Sequence, residues 1–177
     1  MMTRPRHSRL KLLLLMALFA APLLSAWAMV TWRVGIPEGR TAHGQLAPEL
    51  PALADWPLEE PMTASEHWVL AFDCRGDCAA EADRWWRLHR ALGREAPRLE
   101  RLRIVAAEAM PGQAALPGER LASWRSPPAW GEPGALWLLS PQGEVVLGYS
   151  PGAPLRDVMD DLQHLLKVNP ERGASSN

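Results

Sequence analysis

The hydrophobic pattern of this chain is dominated by Leu12 to Trp32, a run of 21 residues with no charge and only Ser25 and Thr31 as polar interruptions. Wound as a helix it spans about 31 Å, which matches a hydrocarbon core of roughly 30 Å. Arg4, Arg6, Arg9 and Lys11 precede the run and no acid does. The positive-inside rule therefore holds the N-terminus in the cytoplasm and sends the rest of the chain across the membrane. A second reading takes Leu12 to Leu24 as a signal-peptide core, Pro22 as its breaker and Ala26-Trp27-Ala28 as a small-x-small cleavage site. The length of the run favours a retained anchor, and both readings export the remainder of the chain.

Beyond the run the pattern changes. Five prolines (Pro37, Pro48, Pro51, Pro57, Pro61) leave no hydrophobic period between Gly35 and Ser65, which predicts an extended tether with Leu50, Leu53 and Trp56 able to pack on the domain. His67 to Phe72 is a short apolar run of β-formers and predicts a strand buried on both faces. Asp77 is the predicted N-cap of a helix from Cys78 to Arg94, in which Cys78, Ala82, Trp85, His89 and Leu92 recur at helical spacing. Leu102 to Ala107 predicts a second strand, closing a right-handed βαβ unit. Met110 to Gly134 is rich in Pro and Gly, with one short helix expected over Glu119 to Trp124. Ala135 to Leu139 and Glu144 to Tyr149 flank a Ser140 to Gly143 turn and predict a hairpin. A last helix starts at Pro154 and stops at Asn169-Pro170, with Leu155, Val158, Met159, Leu162, Leu165 and Leu166 on one face. The predicted organisation is a basic N-terminus over 1–11, an anchor over 12–32, a tether over 33–65, an α/β domain over 66–168 and a polar tail over 169–177.

Charge removes one class of partner. The 19 Lys and Arg against 20 Asp and Glu conceal a split, because residues 1–33 hold five of the basic groups and none of the acids. The exported part is therefore acidic, without a basic stripe to release counterions from a phosphate backbone, and nucleic acid is excluded. No Gly-rich phosphate loop follows a strand, no His-Glu-x-x-His occurs, and Ser123, Ser126, Ser140 and Ser150 have no neighbouring base.

There remains the pair Cys74 and Cys78, placed where the first strand meets the first long helix of the domain. Outside the cytoplasm such thiols oxidise unless a reductant or a metal keeps them otherwise. As a staple the pair is weak, since a five-residue loop constrains the unfolded chain by only about 2 kcal/mol, against about 4.7 for a loop of 100 residues. The carboxyl end of a parallel strand, facing a helix N-terminus, is where α/β sheets place functional groups. The helix dipole and Arg75 favour a thiolate there, while Asp73 and Asp77 oppose it. His43 reads as a solvated turn residue, His67 and His89 as packing or surface residues, and His164 as solvent-facing beside Asp160 and Asp161.

The order strand, helix, strand, short helix, strand, strand, helix, with the cysteines at the first junction, resembles the thioredoxin superfamily over residues 66–167. The fold class this implies is α/β: a thioredoxin-like domain (βαβ plus ββα) behind a single N-terminal transmembrane helix. In the oxidoreductases of that superfamily two residues separate the cysteines, and the first thiol is exposed and attacks. Here Arg75, Gly76 and Asp77 intervene, and this C-x-x-x-C spacing is similar to that of the Sco family of membrane-anchored copper chaperones. The resemblance implies that Cys74 and Cys78 hold Cu(I), a soft ion suited to thiolates, together with a histidine, for delivery to cytochrome c oxidase. The place of that histidine corresponds to Glu132-Pro133-Gly134, where this chain has none; Met110, after the second strand, is only a slightly better candidate than His67, His89 or His164. The superfamily also places a cis-proline just before the third strand, which assigns that role to Pro133. The span, the Pro-Glu-Gly-Arg-Thr segment Pro37 to Thr41 and the cysteine pair together resemble small Sco-like proteins of bacterial cytochrome oxidase gene clusters.

Three functions compete on this reading. The leading one is an oxidase-biogenesis factor of the inner membrane with its domain in the periplasm. Its Cys74 and Cys78 cycle between dithiol and disulfide or carry Cu(I), Pro133 shapes the site, and the partner is a cytochrome c oxidase subunit or a copper chaperone. The second is an enzyme, a thiol-disulfide oxidoreductase acting on the cysteines of such partners. The third is a docking protein that kept the fold and lost the chemistry, using Trp124 and Trp130 for its contacts.

Overall fold

The computed structural model of the protein describes residues 6–32, 42–47, 49–63, 65–112 and 114–170. The Pro37 to Thr41 segment and the tail from Glu171 lie outside the described residues. The chain divides into two units, 1–40 and 41–177. In the first, α1 (Arg6–Trp32) contains the whole predicted span, and its stretch Lys11–Met29 is long and apolar enough to cross a membrane. Leu12, Leu15, Phe19, Leu23 and Trp27 are exposed along it. Pro22 lies inside the helix and does not end it.

The second unit is organised by alternation along β2 (Trp68–Cys74), all seven of whose residues are buried. Trp68, Leu70, Phe72 and Cys74 pack in one layer with Trp85 and Leu88 of α2 (Ala79–Ala91) and Val158, Leu162 and Leu166 of α3 (Leu155–Val168). Val69 and Ala71 point into the opposite layer, as a period of two requires. β2 runs parallel to β3 (Leu99–Ala106), with α2 as the crossover between them, and β3 runs parallel to β4 (Glu119–Trp124). On the other side β2 pairs antiparallel with β5 (Leu136–Leu139), which forms the predicted hairpin with β6 (Val145–Tyr149). A two-residue β1 (Gln45–Leu46) adds to β6, completing the order β1-β6-β5-β2-β3-β4.

Three local expectations are corrected. Glu119 to Trp124 is a strand and not a helix: Leu121, Ala122 and Trp124 fit either period over so short a stretch, and the free edge of β3 supplies a parallel ladder from Arg101↔Glu119 to Ala106↔Trp124. The N-cap of α2 is Cys78, one residue after Asp77, although Ala79 still donates its N–H to the Asp77 carboxylate (3.3 Å). The described part of the Pro-rich stretch packs on the domain, as expected of Leu50, Leu53 and Trp56, and does not stand as an extended arm. It includes a 3-10 turn over Leu53–Asp55, and Leu53, Trp56, Leu58 and Met62 are buried on the sheet face opposite the helices, which would otherwise stand in water. There Trp56, Trp124, Trp130 and Trp137 form one cluster with ring centroids 5.2–5.9 Å apart. Trp124 is thus a core residue and Trp130 is half-buried.

Candidate functional site

β2 delivers Cys74 to its last position and α2 begins straight after Cys78, so the three residues between them must reverse the chain in the open. Gly76 does this with φ +141°, a conformation side chains resist, and it is exposed. The two cysteines are joined as a disulfide with their Cα atoms 5.8 Å apart, within the usual span for such a bond. Cys74 is 2% exposed, whereas Cys78 is only half-buried.

The residues around the pair are tied together by a buried charge. The Asp73 side chain lies on the face of β2 opposite Cys74, and Arg75 grips its carboxylate through Nε (3.1 Å to Oδ1) and Nη2 (2.7 Å to Oδ2). The same guanidinium donates to the Gly131 carbonyl (2.5 Å), which links the cysteine loop to the segment before β5. Burial pushes the Asp73 carboxyl above its ordinary value, against the opposing pull of Arg75. The Arg75 charge that could have favoured a thiolate is therefore taken up by Asp73. Of the influences read from sequence, the helix N-terminus and the exposed Asp77 are left to act on Cys78.

Pro133 does not adopt the expected cis bond; every peptide bond among the described residues is trans. Its surroundings explain why. Glu132 to Ala135 is a turn closed by the Ala135 N–H donating to the Glu132 carbonyl (2.9 Å), with Gly134 at φ +84°. That is the type II pattern, in which proline takes the second position as a trans residue and glycine the third. The turn nonetheless reaches the site: the Gly134 N–H donates to the Asp73 carbonyl (2.8 Å), and the Asp73 N–H donates to the Ala135 carbonyl (3.0 Å), one residue from Cys74. The dipeptide Pro133-Gly134 was the sequence signal for this turn.

The donor set does not reproduce the three-ligand copper site that the Sco resemblance implies. Among the described residues no group of three or more His, Cys, Asp or Glu could hold a metal ion. His89 donates Nε2–H to the Ala96 and Leu99 carbonyls (2.9 and 3.0 Å). His67 precedes β2, at the end away from the cysteines, and His164 is exposed. The side chain of Met110 lies outside the described residues. Among the described residues the pair offers a soft ion two sulfurs and no third His, Cys, Asp or Glu.

His43 is not a free turn residue. Its N–H (2.9 Å) and its Nδ1 (3.0 Å) bond to Asp161, which also accepts from the Gly44 N–H (2.8 Å) and the Tyr149 hydroxyl (2.8 Å). Asp161 is 2% exposed, which corrects its placement on a solvent face of α3. Donors from positions 43, 44 and 149 converge on it, and no sequence spacing announces that.

Residues 68–169 match the family model described as "Transmembrane-like, thioredoxin-like, C-terminal domain". No curated protein matches the sequence. Among solved structures, the copper-bound ScoI of Bradyrhizobium japonicum is similar at 13% identity and a TM-score of 0.43, with 57% of this chain and 86% of that one covered. A DsbF homologue from Corynebacterium diphtheriae shares 13% identity, with a TM-score of 0.43 and coverage of 72% and 95%. The bacterioferritin comigratory protein of Xanthomonas campestris shares 18% identity, with a TM-score of 0.45 and coverage of 73% and 99%. At such scores these likenesses say nothing of activity. The thioredoxin-like fold rests on the strand order and the family match.

Proposed function

The chain belongs to the transmembrane-like, thioredoxin-like C-terminal domain family, and from that premise we propose that it is a membrane-anchored thiol-disulfide exchange protein working through Cys74 and Cys78. The observation that carries this is the disulfide itself, set at the junction of β2 and α2 and bordered by exposed Gly76 and Asp77. A bond meant only to staple has no reason to stand there and gains little from so short a loop. In this reading α1 is the anchor, the domain faces the periplasm, and the substrates are cysteine pairs of an extracytoplasmic partner. The sequence resemblance suggests an oxidase subunit or a copper chaperone for that role. The deciding measurement is the reduction potential of the full-length chain in detergent. A value above about −300 mV is expected, whereas one below it marks a structural bond and removes the proposal.

The closeness of the two sulfurs favours one alternative, the transfer of Cu(I) as cargo between the reduced thiols and a partner. This reading predicts stoichiometric binding in an anaerobic Cu(I) titration, abolished in Cys74→Ser. No binding at any affinity would remove it and leave thiol exchange standing.

A further inference from the structure

Resting on the thiol-exchange reading, we infer that the two cysteines act in the reverse of the order the thioredoxin resemblance implies: Cys78, the second, meets the partner, and Cys74 is the inner, resolving sulfur. Three observations converge on this. Cys74 lies within β2, in register with the fully buried Val105, and packs in the core cluster with Phe72, Ala82 and Trp85. Cys78 is half-buried, and the residues on both sides of it, Gly76, Asp77, Ala79 and Ala80, are exposed. A partner chain can therefore lie against Cys78 and not against Cys74. The electrostatics agree. Cys78 stands at the N-terminus of the 13-residue α2, where the helix dipole favours an anion and Asp77 opposes it, whereas Cys74 is packed among apolar side chains.

The exchange follows from this geometry. A partner thiolate attacks Cys78 Sγ, a partner–Cys78 bond forms, the Cys74–Cys78 bond breaks, and Cys74 leaves as a thiolate and takes up a proton. A second thiolate of the partner then attacks the partner sulfur of that mixed disulfide and releases Cys78 as a thiolate. The partner dithiol is oxidised to a disulfide and the domain is reduced by two electrons. The reverse sequence, opened by the Cys78 thiolate, reduces a partner disulfide.

The test uses the unsubstituted full-length chain. It is reduced in detergent, briefly exposed to less than one equivalent of iodoacetamide at pH 7, and digested with trypsin. Cleavage after Arg75 places Cys74 and Cys78 on different peptides, so mass spectrometry reads each separately. Cys78 is expected to carry the label at least about tenfold more often than Cys74, as thiolate character and exposure dictate. The reduced Cys74→Ser chain should alkylate faster than the reduced Cys78→Ser chain, and the difference should vanish in denaturant. Equal labelling in the native chain, or a preference for Cys74, overturns the inferred order. This failure is separable from failure of the function: a potential below about −300 mV removes thiol exchange whichever sulfur reacts first.

Discussion

Asp161→Ala is expected to lower the unfolding free energy of the domain by about 2–4 kcal/mol, since each buried donor left without its acceptor costs about 1–3 kcal/mol. The carboxylate is the single acceptor for the His43 and Gly44 N–H groups, the His43 ring and the Tyr149 hydroxyl. Truncation strands these donors, three of them on the segment that places β1 at the edge of β6. Chemical denaturation followed by tryptophan fluorescence reads the change, and a loss under about 1 kcal/mol, the worth of an ordinary neutral hydrogen bond, would contradict this account.

The same network sets a pH dependence. Burial alone would raise the Asp161 carboxyl, but the hydrogen bonds from Gly44, His43 and Tyr149 outweigh it and leave it below the ordinary carboxylate value. A depressed folded pKa contributes stability that is complete above the unfolded value, about 4, and is lost as pH falls through the folded one. Asp73, shifted upward, works in the opposite sense: its contribution is complete below the ordinary value and lost as pH rises through the raised one. The comparison that isolates Asp161 is therefore wild type against Asp161→Asn, and the variant should show the shallower loss below about pH 4. Equal acid slopes would sink the assignment.

A second large effect is expected at Glu119. Arg101 and Glu119 have no exposed side-chain surface and Arg103 has 5%. The carboxylate accepts from Arg103 (2.7 Å) and from the Leu116 N–H (2.9 Å), with Arg101 Nη1 3.8 Å away. Arg101 also donates to the Pro117 carbonyl and Arg103 to that of Ala114. Burial already draws the Arg101 guanidinium below its usual pKa, and Glu119 works against that. Glu119→Ala removes the carboxylate that buried Arg101 and Arg103 share, and a cost of about 3–5 kcal/mol is expected. The midpoint of urea unfolding should fall accordingly, with Glu119→Gln intermediate because it keeps an acceptor. Indifference to both substitutions would mean that water enters the site.

This buried carboxylate is also why β4 was unreadable as a strand. An arginine and a glutamate on neighbouring strands look like solvated positions in a linear sequence, and only their pairing at 2.7 Å makes them interior. β2, β5, β6 and α3 were legible for the opposite reason: their burial is carried by apolar side chains whose period reports the element directly. Pro133 shows a resemblance overriding chemistry, since the superfamily suggested a cis bond while Pro133-Gly134 already described a type II turn with a trans proline.

The sequence alone determined the apolar span, the runs that become the central strands and the last helix, and the placing of two cysteines where a strand gives way to a helix. These are local properties, written in hydrophobic period and residue spacing. Tertiary structure decided which sulfur is sealed and which is open, that Arg75 is occupied by Asp73 and Gly131, that Asp161 gathers donors from 43, 44 and 149, and that the Pro-rich stretch covers a sheet face. Exposure and charge pairing depend on what lies across space, and residues more than a hundred positions apart in the chain settle them.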